Sequence, residues 1–134
     1  MATANQVSLV SGVIRPAGTH VSAPWYVGRD CRYLAVQSNF ARTSGGTTLK
    51  VYLQFSVDDG QTWADVASHA FTTTSGRKVS AVKASTALAA ATVPTDGSLT
   101  DDTILSGLIG TKIRVKTVIV GTYVGTLDVS AVIR

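Results

Sequence analysis

Between residues 111 and 120 the chain alternates without a slip. Ile113, Val115, Thr117 and Ile119 fall on one side, and Lys112, Arg114 and Lys116 on the other. A period of two sends successive side chains to opposite faces of an extended backbone, so this run predicts a strand with one buried and one wet face. Leu127, Val129, Ala131 and Ile133 repeat the pattern after a glycine-bounded connection, Gly121 to Gly125. Two alternating runs around so short a link read as an antiparallel hairpin. Residues 47–55 alternate again, with Leu49, Val51, Leu53 and Phe55 inward and Lys50, Tyr52 and Gln54 outward. Asp58-Asp59-Gly60 ends that run as a turn, and residues 63–71 are the expected return strand.

The rest of the chain carries the same bias more weakly. With 18 Val, 18 Thr and 6 Ile, 42 of 134 residues are β-branched, and all eight acids are Asp, with no Glu. Branched side chains suit a pleated surface, and Asp favours turns where Glu favours helices. Further strands are expected at 7–14, 21–27, 33–40 and 78–85. Pro24 demotes the second to an edge or a bulge. In the fourth, either Val79, Ala81 and Lys83 or Val82 and Ala84 face the core. The alanine-rich stretch 86–93 is read as a helical turn or two or as an extended connection, and 94–103 as a polar loop. Ser44-Gly45-Gly46-Thr47 reads as a hairpin turn. Seven or eight short strands in 134 residues predict one domain, residues 1–134, built as an antiparallel β-sandwich or jelly-roll-like arrangement. Residues 1–6 are expected to form an N-terminal arm.

Charge and cysteine content bound the chemistry. Twelve Lys and Arg against eight Asp give +4. The cations are scattered, which points to a solvated face and to no specific nucleic acid. The single cysteine, Cys31, precludes an internal disulfide and reads as an inert, partly buried thiol. No apolar run is long enough to span a bilayer, and the first residues lack the charged and apolar regions of a signal peptide, so no membrane partner and no secretory export are expected.

One local motif stands out: Ser56-Val57-Asp58-Asp59-Gly60-Gln61-Thr62-Trp63. It matches the Asp-box pattern at Ser56, Asp58, Gly60, Thr62 and Trp63, and resembles turns of sialidase and other glycosidase propellers, where the role is structural. Asp58 is suited to accept turn amides, Gly60 to supply a positive φ, and Trp63 to fold back over the hairpin. No catalytic, cofactor or metal residues are assigned. His20 and His69 sit in no nucleophile motif and read as surface or partner-packing residues. Asp96, Asp101 and Asp102 offer oxygen ligands for a hard cation, but their spacing fits no EF-hand, and a solvated loop is the simpler reading. Trp25, Tyr26 and Tyr33 are candidate contacts for a protein partner or a glycan, or else pack at the rim of the core.

As an ordered pattern the chain resembles small β-sandwich structural proteins of tailed bacteriophages. The resemblance rests on Thr48-Leu49-Lys50-Val51-Tyr52-Leu53-Gln54-Phe55, on the Asp-box-like turn running into Ala64-Asp65-Val66, and on two late segments. These are Leu108-Ile109-Gly110-Thr111-Lys112-Ile113-Arg114-Val115-Lys116 and Leu127-Asp128-Val129-Ser130-Ala131-Val132-Ile133. Together they cover about a quarter of the chain. The resemblance implies a virion component, made in the host cytoplasm, that binds the major capsid protein or other virion subunits. A homo-oligomeric capsid decoration or cement protein is the first choice within it, and a tail, connector or fibre component the second. A carbohydrate-binding module using exposed aromatics is the alternative from another class.

Overall fold

The computed structural model describes residues 5–28, 31–84 and 91–134. Nine strands run through them: β1 (Asn5–Val10), β2 (Gly18–Val21), β3 (Trp25–Tyr26), β4 (Tyr33–Gly45), β5 (Thr48–Ser56), β6 (Ala64–Phe71), β7 (Gly76–Lys83), β8 (Lys112–Val120) and β9 (Tyr123–Ile133). They form two antiparallel sheets. Sheet A has the order β1-β9-β4-β7; sheet B has β2-β8-β5-β6, with β3 continuing β2 along β8. Taking β2 and β3 as one interrupted strand, the chain changes sheet at every step except β5 to β6. That is the order of a jelly roll, within the sandwich class the alternation predicts.

The two long alternating regions make the frame. β4 pairs with β9 from Leu34↔Ile133 to Gly45↔Tyr123, and β5 pairs with β8 from Thr48↔Val120 to Ser56↔Lys112. The two ladders are one antiparallel ribbon folded in half, so that Leu34, Val36 and Phe40 of one half face Leu49, Leu53 and Phe55 of the other in a shared core. The fold line lies at Gly45, Gly46 and Gly121, with φ of 76°, 79° and 86°. Backbones there are too close for side chains. A Cβ on Gly45 would lie 2.1 Å from the Thr122 carbonyl oxygen, and one on Gly46 would lie 2.2 Å from the Tyr123 ring. Tyr123 closes the corner: its hydroxyl donates to the Thr72 carbonyl at 2.6 Å, and its ring meets Phe40 edge-on at 5.5 Å.

This frame corrects two sequence expectations. β8 and β9 do not form a hairpin, since they belong to different sheets; Ser44-Gly45-Gly46-Thr47 is likewise a corner between β4 and β5. In both places alternation identifies the buried face correctly, but the glycines turn the second strand across the core. The third pairing, β5 with β6 through the Asp-box turn, is the hairpin the sequence predicts.

Smaller differences have local causes. The run 21–27 is two strands: Val21 pairs with Lys116 and Trp25 with Ile113, so the edge carries one extra residue at the Pro24 bulge. In β7, Ser80 and Val82 face the core and Val79 faces out. Asn5 and Gln6 belong to β1, paired with Ile133 and Val132, so an arm would comprise at most residues 1–4, which lie outside the described residues, as do 86–90 of the alanine-rich stretch. Tyr52 and Gln54, expected on a wet face, are buried, because residues 94–105 fold over that side of sheet B. The loop also closes the β6 edge through Asp65 N–H to Thr95 O, Ser68 N–H to Thr103 O and Leu105 N–H to Val66 O.

Gly45→Ala combines a backbone clash with a left-handed φ and is expected to cost about 3 kcal/mol or more in denaturant unfolding. Gly76→Ala has open space around its Cβ and is expected to change stability by less than about 0.5 kcal/mol. Equal effects at the two sites would contradict the folded-ribbon geometry.

Candidate functional site

The Asp-box-like turn forms as its spacing predicts. Ser56 Oγ donates to Asp58 Oδ1 at 2.8 Å and accepts the Gly60 amide at 2.7 Å. Asp58 accepts the Thr62 amide at 2.8 Å and the Thr62 hydroxyl at 2.5 Å. The Thr62 hydroxyl and amide, with Ser56, hold the Asp58 carboxyl at about 2, below its ordinary value. Both Asp59 and Gly60 take positive φ. Trp63 lies beside Gly60 and beneath the Arg114 guanidinium, 4.4 Å from ring centroid to Cζ. These groups stabilise one another, and the turn is an internal brace.

Asp65, which carries no motif, organises the largest polar cluster. It is buried on β6 and accepts from the Thr95 hydroxyl at 2.8 Å, the Gly97, Ser98 and Leu99 amides at 2.8–3.1 Å, and Gln54 Nε2 at 2.8 Å. Gln54 also donates to Asp96 at 2.7 Å and accepts from Arg114 Nε at 2.7 Å. A buried carboxylate is tolerable only when its lone pairs are filled in this way. Sequence reasoning missed it because an Asp in an alternating strand looks solvated. The available signal was the Thr-Asp-Gly-Ser run at 95–98, a ready source of turn amides.

The loop acids serve the same fold. Asp96 pairs with Lys116 at 3.0 Å, Asp101 with Lys50 at 2.9 Å and Asp102 with Lys78 at 2.9 Å. The three carboxylates thus diverge to separate lysines, and among the described residues no three His, Cys, Asp or Glu converge on one point.

The histidines part company. His20 is half-buried on β2 and bonds the Pro16 carbonyl at 2.7 Å, lining a cleft of about 210 Å³ between the edges of β1 and β2. His69 is buried, which corrects its reading as a surface or partner-packing residue. Its Nδ1 meets Ser38 Oγ at 2.7 Å and its Nε2 meets Ser80 Oγ at 2.6 Å, so it bridges β6 to β4 and β7 across the sandwich. Burial pushes its pKa below the ordinary imidazole value; Asp102 opposes the shift and Lys78 adds to it. Cys31 is half-buried with its thiol pKa raised by burial, as an inert thiol should be.

Trp25 and Tyr26 are exposed, while Tyr33 is half-covered. They do not share a platform. As neighbours on one strand, Trp25 and Tyr26 point to opposite sides of the sheet B edge, and Tyr33 stands on the outer face of sheet A.

Among the described residues no loop covers that outer face. Its middle rows by register are Ala35 between Ala81 and Val132 and Gln37 between Val79 and Ser130, and Tyr33, Lys83 and Arg134 wall an open hollow of about 640 Å³ over Ala35. No family model, no curated protein and no solved structure matches this chain.

Two outcomes follow. Asp65→Ala strands several turn donors and is expected to cost about 3 kcal/mol, with the Gly97, Ser98 and Leu99 amides losing hydrogen-exchange protection first. Burial lowers the His69 pKa in the fold, whereas the unfolded chain protonates it near 6.5. Stability contributed by that difference is present above 6.5 and lost as pH falls. Melting temperature should drop from pH 7.5 to 5, and the drop should shrink in His69→Gln; an unchanged slope would contradict the buried neutral ring.

Proposed function

We infer that this chain is a structural protein of a tailed-phage particle that binds neighbouring capsid subunits, as a decoration or cement protein of the virion. The observation that carries this reading is the unequal treatment of the two outer faces. Sheet B is covered by the chain's own loop and its charges are neutralised there, whereas among the described residues nothing covers the outer face of sheet A, whose middle is small and partly apolar. A face of that kind suits docking onto another subunit. The resembling segments supply β5, the Asp-box turn, β8 and β9, which make half of the ribbon frame. The jelly-roll order is shared by viral capsid and lectin domains, and so is compatible with the role without specifying it.

Exposure of Trp25 and Tyr26 favours a second reading, a glycan-binding module. Their divergent directions count against a flat sugar platform.

The purified protein, incubated with empty capsids of the phage that encodes it, is expected to co-sediment saturably and to self-associate in sedimentation velocity. A monomer that ignores capsids would contradict the decoration reading, and binding confined to tails would move it to a tail component. Glycan-array binding lost in Trp25→Ala would favour the second reading.

A further inference from the structure

The scattered cations of the sequence are sorted by the fold. Lys50, Lys78, Lys112, Arg114 and Lys116 form ion pairs with Asp59, Asp96, Asp101 and Asp102. Four of these five, all but Lys78, lie on sheet B. Arg32, Arg77, Lys83 and Arg134 form no ion pair among the described residues, and all four flank sheet A. Lys83 is the cross-strand neighbour of Tyr33, with Arg134 beside Tyr33 on the other side, and Arg32 and Lys83 share a second hollow with Tyr33 and Ala84. Arg77 stands at the far end of the same face, in register with Asn39. Against these, among the described residues, the face carries one acid, Asp128.

We propose that the outer face of sheet A docks an acidic surface of a different protein chain; this rests on the virion reading and names its contact face and partner chemistry. A second copy of this chain is a poor occupant. Two sheet A faces would oppose their unpaired cations, and the acids on sheet B are already held by its own lysines. A complementary surface therefore comes from another chain. Across the middle of the face Ala35, Ala81, Val79 and Val132 sit beside the polar Gln37 and Ser130, with cations at the rim, a mixed layout that suits a protein interface. A nucleic-acid groove would need cations along its floor and aromatic rings to stack on bases, and among the described residues Tyr33 is the only ring there.

The edges point the same way. Open strand edges invite pairing with other chains, and each edge here is guarded. β1 carries a bulge between Ser8 and Val10, β2 and β3 are split at Pro24, β6 is closed by the loop, and β7 carries Arg77, Lys78 and Lys83. Face-on docking is the route left open.

The probe is a 20-residue poly-glutamate peptide, titrated into the full chain at low salt and followed by backbone amide shifts. Shifts are expected at Tyr33, Ala35, Ala81, Lys83 and Val132, with affinity lowered roughly tenfold in Arg32→Glu/Lys83→Glu and unchanged in Lys112→Gln. Circular dichroism melts check that the variants fold. Shifts centred on β8, or equal affinity in the double variant, would overturn the proposal. So would tighter binding of a 20-base-pair duplex DNA at the same face, which would assign it to nucleic acid. The double variant is then tested on empty capsids. Full capsid binding by the variant overturns this face while leaving the virion reading intact. Absence of capsid binding by the parent protein, with poly-glutamate still bound on sheet A, removes the decoration reading while leaving the acidic docking face.

Discussion

The structure depends on how closely the β4–β5 and β8–β9 backbones approach at the glycine corner. There a single antiparallel ribbon bends out of one sheet and into the other, and its two halves then face each other across the core. Close approach requires positions without side chains, and Gly45, Gly46 and Gly121 meet that requirement with φ values that other residues adopt only at a cost. Tyr123 packs into the space left by Gly46 and reaches the Thr72 carbonyl, so the corner is tied to the β6–β7 connection as well. The remaining strands add to the edges of this frame: β1 against β9, β7 against β4, β2 and β3 against β8, and β6 against β5.

Polar groups inside this frame act as braces between elements that backbone pairing does not join. His69 links the two sheets through Ser38 and Ser80. Asp65 and Gln54 fasten the 94–105 loop onto sheet B. Among the described residues no buried side-chain nitrogen or oxygen is left without a partner. Such networks are favourable only when complete, because a missing partner leaves an unpaired polar group in a poorly hydrated interior. The consequence for function is an imbalance of surfaces. Closing sheet B consumes most of the chain's carboxylates, and the net positive charge emerges around sheet A.

Which parts were legible in the sequence follows from what alternation encodes. It states which side of a strand is buried, and for Ile113, Val115, Thr117 and Ile119 that reading is right at every position. It does not state which strand lies alongside, so β8 and β9 read as a hairpin when a corner separates them. The Asp-box turn was legible because the hydrogen bonds among Ser56, Asp58, Gly60 and Thr62 that shape it all lie within eight residues. Asp65 and His69 were not, because their partners lie 11 to 34 and 11 to 31 residues away and reach them only through the fold. The sheet A face was hidden for the same reason: Arg32, Arg77 and Lys83 look scattered until β4 and β7 are paired.

The most direct test of the folded ribbon is the pattern of interstrand backbone NOEs in solution. The account predicts contacts linking Thr48–Ser56 to Lys112–Val120 and Tyr33–Gly45 to Tyr123–Ile133, with none running in hairpin register between Lys112–Val120 and Tyr123–Ile133. A continuous β8–β9 hairpin ladder would contradict it, and with it the bare face on which the functional reading stands.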